Sequence, residues 1–394
     1  MTAAPLAGVV VVAFEQAVAA PFATRQLADL GARVIKVERP GSGDFARGYD
    51  EKVRGLSSAF LWLNRGKESL TLDLKQVDGR AVLDRLLSAC DVFVHNMSPA
   101  AARRAGLDPE TLRRDCPRIV PCAISGYGEE GPLRDAKAYD LLMQGETGLM
   151  SITGDAEHMA KVGISIADIS AGTYAFSNIL AALLHRDRTG ESLPVSISLF
   201  DSLVEWLGYP LYYTMYGGDP PPRMGTSHPT IAPYGAFVTG DGHQILLAVQ
   251  NDREWTRFCA QVLGEEDAAR DARFASHTRR VEHRSDLDAM IAARFAELDR
   301  EKALELLADA GIAHASLNGI ADLADHVQLV ERDRWTQTPT PVGAVRTIRP
   351  PGIAGAEPRD LGKVPALGED TSEVLRWLDF GDDDIDRLCA NGTV

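Results

Sequence analysis

No G-x-G-x-x-G follows the first apolar run of this chain. Residues 8–14 (GVVVVAF) lead instead into EQAVAAP at 15–21. Without spaced glycines a dinucleotide pyrophosphate has no close approach to the next helix N-terminus, so a nicotinamide- or flavin-dependent oxidoreductase is set aside. This holds even though Glu38 stands at the end of a second strand, where such a domain would carry an acid. Cysteine is scarce: Cys90, Cys116, Cys122, Cys259 and Cys389 are odd in number and free of C-x-x-C spacing. They imply reduced thiols in a cytoplasmic protein, with neither a disulfide framework nor a zinc site. Positive charge is in deficit, with a formal net charge of -15, which argues against nucleic acid or an anionic membrane surface as the main partner. Uninterrupted apolar runs are too short to cross a bilayer. The opening MTAAPLAGVVVVAFEQAVAAPF lacks a basic leader and is broken by Glu15 and Gln16, so it reads as a first strand rather than a signal peptide. There is no internal repeat or low-complexity tract.

What is present is an alternation of short β-branched runs with helical periodicity. With 394 residues, 45% of them hydrophobic, the chain can bury a large core and fill two domains. Strands are expected at 8–14, 33–38, 91–94, 119–125 and 195–197. Helices are expected up to Leu30, over 77–89, from Pro109, from about Ala138 and over about 199–213. The pattern predicts an α/β fold with a large Rossmann-like, mostly parallel-sheet domain over residues 1–215. Ligands of such sheets bind beyond the C-terminal strand ends. Asn96 and the glycine-marked loop GYGEEGP at 126–132 fall at that edge. Glycine and proline clusters at 215–233 mark an exit. A smaller α+β domain is placed at 225–330, with a hairpin at 237–248 turning on Asp241-Gly242. Residues 331–394 read as irregular and proline-rich before a last helix at 370–378.

Within 161–172, KVGISIADISAG, the run 162–166 reads as a strand that feeds a long helix, with Asp168 at the junction. Two roles fit a carboxylate there. It is an ordinary helix N-cap, or it is a nucleophile kept ionised by helix amides and the helix dipole. The first third of the chain also gathers cations suited to a phosphorylated ligand: Lys36, Arg39, Arg47, Arg65, Lys67, Lys75, Arg103, Arg104, Arg134 and Lys137.

A series of segments in fixed order then resembles the family III coenzyme A transferases, of the formyl-CoA and carnitine-CoA transferase type. The segments are Gln16 after the first strand, LADLGARVIKVERP at 27–40, GDFAR at 43–47, LNRGKESLTLDLK at 63–75, DVFVHN at 91–96, GYGEEGP at 126–132, KAYD at 137–140, ADISAG at 167–172 and PALGEDT at 365–371. Each is weak alone; their order and spacing together are specific, and they favour the nucleophile reading of Asp168. The resemblance implies two domains, with the C-terminal segment returning to the larger one, and an interlocked homodimer. It places the catalytic aspartate at Asp168. Coenzyme A contacts fall at Gln16, Arg39, Leu72, Lys75, Asn96, Met97, Arg104, Lys137 and Tyr139. It implies an acyl-CoA and a small carboxylic acid as partners, no metal, and no tightly bound cofactor beyond the coenzyme A thioester that serves as substrate.

The implied reaction moves coenzyme A between carboxylates through an aspartyl anhydride and an aspartyl-CoA thioester. The amides near 170–172 are the expected oxyanion donors. Formyl-transferring members carry consecutive glycines where this chain has RMGTSH at 223–228. The opening EQAVAAPF is instead similar to members that use succinyl-CoA with C4 or C5 dicarboxylates such as itaconate, mesaconate, citramalate or malate. The distal carboxylate would need a cation, from Arg47, Lys161, Arg223 or His228. Two alternatives remain. An α-methylacyl-CoA racemase would carry a histidine as second acid/base group at the position of Tyr139, and an acyl-CoA-binding protein would use Asp168 only as a cap.

Overall fold

The computed structural model describes residues 4–352 and 360–394. The β-branched run Val10–Phe14 forms β1, whose central residues are fully buried. It is followed by α1 (Ala19–Asp29), β2 (Arg33–Glu38), α2 (Ser58–Asn64), β3 (Lys67–Thr71) and α3 (Val77–Ala89). Next come β4 (Val92–His95), α4 (Pro99–Ala105), α5 (Pro109–Asp115), β5 (Val120–Ser125), α6 (Asp140–Glu146), α7 (Leu149–Ile152), α8 (Ile166–Thr189), β6 (Val195–Ser198), α9 (Leu199–Trp206) and α10 (Gly208–Gly217). The six strands pair in parallel in the order β3-β2-β1-β4-β5-β6. Continuous apolar strands are what a sheet covered on both faces requires. The strand order reverses between β1 and β4, which opens a crevice at their C-terminal ends.

Two compact units divide the chain: residues 1–149, 162–209 and 333–394 form one, and 150–161 with 210–332 the other. The second unit holds an antiparallel sheet of β7 (Tyr234–Val238), β8 (Gln244–Ala248) and β9 (Ala313–Ser316). Trp255, Phe258, Leu287, Ile291, Phe295 and Leu307 build its core. The β7–β8 connection is wider than a two-residue turn, running from Thr239 to His243, because the Gly240 N–H is drawn to the carbonyls of Phe295 and Leu298.

Three stretches differ from the sequence expectation. Strand β3 (KESLT) carries Lys67 and Ser69 on its buried face, so its pattern is not apolar. The tail forms a hairpin of β10 (Trp335–Thr338) and β11 (Val345–Ile348) where irregular chain was expected, then the expected helix, α11 (Thr371–Trp377), and a further one, α12 (Asp382–Ala390). Val374, Leu375 and Leu388 from this tail enter the core built on Val12, Ile35, Leu70 and Phe93. Residues 162–166 are not a strand. Gly163 interrupts the run, the Val162 N–H donates to Gln144 Oε1 instead of a ladder, and the helix already begins at Ile166. By length and composition α8 is also the one described helix able to cross a bilayer; it packs along α1 and against β5, β6 and α9 with Ala167, Ala171, Ala175 and Ile179 buried.

Candidate active site

Parallel strands put their C-terminal ends on one edge, and most of the residues singled out by the sequence gather there. Gln16 follows β1, Arg39 follows β2, Leu72 and Lys75 follow β3, and Asn96 and Met97 follow β4. Arg104 lies in the last turn of α4, and Lys137 and Tyr139 immediately precede α6. At the strand-order reversal Asn96 bonds Gln16: its Oδ1 accepts the Gln16 N–H at 3.0 Å, and its Nδ2 donates to the Gln16 carbonyl at 2.8 Å. Leu72 is buried in the core below this edge, and Met97 packs against the same core.

The ten cations separate into three groups. Lys36, Lys67, Arg47 and Arg65 are spent inside the protein. Lys36 and Lys67 meet Glu15 at 3.3 and 2.6 Å, Arg47 meets Glu38 at 2.7 Å, and Arg65 meets Asp29 at 3.0 Å. Arg103 and Arg134 share Asp135 at the surface. Arg39, Lys75, Arg104 and Lys137 remain exposed and free of ion pairs among the described residues. A buried ammonium is tolerated only with close anionic partners, which is why the first group is unavailable to a ligand.

Asp168 is not the N-cap of α8. Ser165 occupies that position without a side-chain cap bond, and Asp168 sits three residues further, in the first turn. Its start is held from α6: Asp140 Oδ1 accepts the Ala167 N–H at 2.7 Å, Asp140 Oδ2 accepts from Gln144 Nε2 at 2.7 Å, and Gln144 Oε1 accepts the Val162 N–H. The half-buried Asp168 carboxylate accepts no hydrogen bond among the described residues. Burial, with the Asp140 charge adding to it, pushes its pKa up to about 7. Tyr49 lies near enough for Asp168 and Tyr139 to affect it. Burial first, then Asp44, Asp168 and Tyr139, raise its phenol to about 12, so it stays a neutral donor.

The expected oxyanion donors change as well. Amides at 170–172 lie beyond the first turn, where N–H groups are consumed within the helix. In the first turn Ile166 donates to Ile164, Ala167 to Asp140 and Ile169 to Ser165, whereas the Asp168 N–H meets no acceptor among the described residues. The cations considered for a distal carboxylate also differ in state. Arg47 is bound to Glu38 and the Pro365 carbonyl and lies 3.8 Å from the Phe60 ring centroid. Arg223 donates to the carbonyls of Asp155 and Ala156. His228 packs at a tilt against the Tyr234 ring, with its Nδ1 accepting from the Thr230 N–H. Lys161 is exposed.

Asp140, Gln144 and Tyr49 were not marked by sequence reasoning. Asp140 was visible as the acid closing KAYD, but its tie to Ala167 spans 27 residues and has no local signature. Among the described residues no group of three or more His, Cys, Asp or Glu side chains is arranged to hold a metal.

Comparison with known proteins matches residues 6–371 to the model of CoA-transferase family III. The chain is 32% identical to the succinyl-CoA:glutarate CoA-transferase of Mus musculus, covering 99% of this chain and 90% of that protein. It is 35% identical to the succinate–glutarate CoA-transferase of Agrobacterium fabrum, covering 95% and 96%. Among solved structures, a CAIB/BAIF family protein from Brucella suis superposes with a TM-score of 0.85 at 32% identity, covering 96% of this chain and all of that one.

Proposed function

Because the chain belongs to CoA-transferase family III, and is therefore a CoA transferase, we propose that it carries coenzyme A from succinyl-CoA to a short dicarboxylate through covalent chemistry at Asp168. The acceptor class rests on the relatives named for glutarate, so glutarate heads the acceptors, with itaconate, mesaconate, citramalate and malate beside it. The observation that carries the reading is the unbonded, half-buried Asp168 carboxylate beside an anchored one. Fewer hydrogen bonds leave its lone pairs available, and a raised pKa makes it a better nucleophile once ionised.

An Asp168 oxygen attacks the donor thioester carbonyl, the C–S bond breaks, and the coenzyme leaves as thiolate. The thiolate then attacks the aspartyl carbonyl of the anhydride and releases the donor carboxylate. The acceptor carboxylate attacks the resulting aspartyl-CoA, forming a new anhydride and freeing the thiolate once more. Attack of that thiolate on the acceptor acyl carbon gives the new thioester and restores Asp168. The Asp168 N–H and the Tyr49 hydroxyl are the donors for the oxyanions. Arg39, Lys75, Arg104 and Lys137 hold the coenzyme phosphates, Gln16, Asn96 and Met97 line its path, Leu72 backs it, and Tyr139 flanks the acyl end. Binding energy gathered on this long handle fixes the reacting carbonyl.

Self-association belongs to the same reading. Tyr212, Met215 and Tyr216 are exposed on α10, apolar side chains of the kind a partner surface covers. An interlocked homodimer covers them, and light scattering should then give twice the 42.6 kDa chain mass. The decisive experiment is trapping: succinyl-CoA followed by hydroxylamine or borohydride should modify Asp168, and Asp168→Asn should lose turnover by at least a thousandfold. Unchanged turnover in that variant overturns the mechanism.

A further inference from the structure

The turn after β1 is tied at three consecutive residues, each to a different element. Glu15 is buried among Lys36, Lys67 and Thr24. Gln16 is held at both main-chain atoms by Asn96. Ala17 has φ 62°, a left-handed conformation that an L side chain adopts at a cost. Its N–H donates to Asp44 Oδ1 at 3.1 Å. The side-chain carboxamide of Gln16 itself makes no bond among the described residues.

Asp44 is 1% exposed and fully engaged. Its Oδ1 also accepts the Ala46 N–H, its Oδ2 takes Lys36 Nζ at 2.8 Å, and its own N–H donates to Glu38 Oε1 at 2.9 Å. Beyond Glu38 the connection continues to the C-terminal segment. Ser69 Oγ donates to Glu38 Oε2 at 2.6 Å, the Gly368 N–H donates to Ser69 Oγ at 2.9 Å, and Asp370 Oδ2 accepts the Ser69 N–H at 2.8 Å. Four acids (Glu15, Glu38, Asp44, Asp370) are thus matched by Lys36, Arg47, Lys67 and Lys363. The PALGEDT motif at 365–371 meets this relay through Gly368 and Asp370.

We propose that Asp44 is a positioning residue for the acyl-CoA site, holding Ala17 in its left-handed turn so that the free Gln16 carboxamide faces the thioester, with the Ser69–Gly368 contact bracing the relay from behind. Resting on the CoA-transferase reading above, this assigns Asp44 and Ala17 a task that acts through Gln16 alone. A bare structural role would cost stability without moving substrate constants in the folded fraction. A positioning role moves the constants through Gln16.

Two variants test it, Asp44→Asn and Ala17→Gly. Asparagine keeps the shape and one acceptor but turns an amide toward Lys36. Glycine keeps the fold, since it adopts positive φ without strain, yet releases the turn from its single conformation. The readouts are Tm, KM and kcat with succinyl-CoA and glutarate, and the same constants in a Gln16→Ala background. The expected result is a three- to tenfold rise in KM for succinyl-CoA in Ala17→Gly at unchanged or higher Tm, abolished when Gln16 is already alanine. Asp44→Asn should behave likewise if it folds; should it fail to fold, Ala17→Gly alone decides. Constants unchanged in Ala17→Gly, or effects that simply add to those of Gln16→Ala, overturn the proposal. If Gln16→Ala and Asp168→Asn both leave turnover intact, the transferase mechanism fails instead.

Discussion

Asn96 grips Gln16 by both of its main-chain polar atoms across 80 residues of sequence, at 3.0 and 2.8 Å. The two turns that flank the sheet's strand-order reversal therefore move as one piece, and Asn96 serves the site through Gln16 as well as through any direct contact. Replacing it by aspartate leaves the Gln16 carbonyl facing a carboxylate with no donor. Asn96→Asp is expected to raise KM for succinyl-CoA at least tenfold, while Asn96→Ala is milder because water can enter. Steady-state kinetics on the two variants checks the order.

Turnover should depend on the ionised form of Asp168. With a carboxyl near 7, kcat/KM for the free enzyme should rise through about pH 7 and level off above it. A profile already flat from pH 5 would contradict this.

The same shift has a cost in stability. Folding raises the Asp168 pKa from 3.8 to about 7, so the native state binds the proton more tightly. The penalty is absent below pH 3.8, grows between 3.8 and 7, and above pH 7 reaches at most about 4 kcal/mol. Asp168→Asn removes it. The variant should gain Tm over the parent at pH 8 and gain clearly less at pH 5, as scanning calorimetry would read.

Glu38 works with the opposite sign. Burial opposes its charge, but the Arg47 hydrogen bond and the Lys36 charge outweigh burial and hold it at about 2, against an ordinary 4.5. Its stabilisation, at most about 3 kcal/mol, is complete above pH 4.5 and is lost as pH falls toward 2. Glu38→Gln should lower the urea midpoint at pH 7 and flatten its decline between pH 4.5 and 2.

Lys75→Ala, Arg104→Ala and Lys137→Ala should each raise KM for succinyl-CoA roughly three- to tenfold and lower kcat as well, as expected where binding energy on remote phosphates also fixes the reacting carbonyl. The increments should shrink in 0.5 M salt, because exposed charges are screened. Lys302→Ala, an exposed cation paired with Glu305 in the second unit, should leave KM unchanged.

Gly172 lets α8 touch α1. A Cβ there would stand 2.6 Å from the Ala19 carbonyl oxygen and 3.0 Å from Phe22 Cδ1. Alanine's higher helix propensity is worth about 1 kcal/mol, but a backbone oxygen cannot step aside as a side chain can. The clash should win, and Gly172→Ala should destabilise by about 1–3 kcal/mol in urea titration, with reduced kcat from displacement of the Asp168 turn.

The alternation of β-branched runs and helical periodicity was enough to place β1, β2, β4, β5 and β6 with α1, α3, α5, α6 and α8, because a strand buried on both faces writes its burial into consecutive residues; the short α2, α4 and α7 were not read. β3 escaped because two of its inward positions are Lys67 and Ser69, whose burial is justified by partners far along the chain, among them Glu15 in the turn after β1 and Glu38 at the end of β2. In the tail the helix at 371–377 was legible, but the hairpin and the final helix escaped for a related reason: they are short, and their apolar faces acquire meaning only in the packed core.

At the site, residue types and motif order pointed to Asp168 and to the sheet edge. They could not say that Lys36, Arg47, Arg65 and Lys67 turn inward while Arg39, Lys75, Arg104 and Lys137 meet no ion-pair partner among the described residues, nor that Asp168 lies inside the first turn of α8 with no hydrogen bond to its carboxylate among them. Propensity and periodicity are properties of neighbours along the chain. Whether a charge is paired, and what its proton affinity becomes, depends on partners brought together from tens to hundreds of residues away.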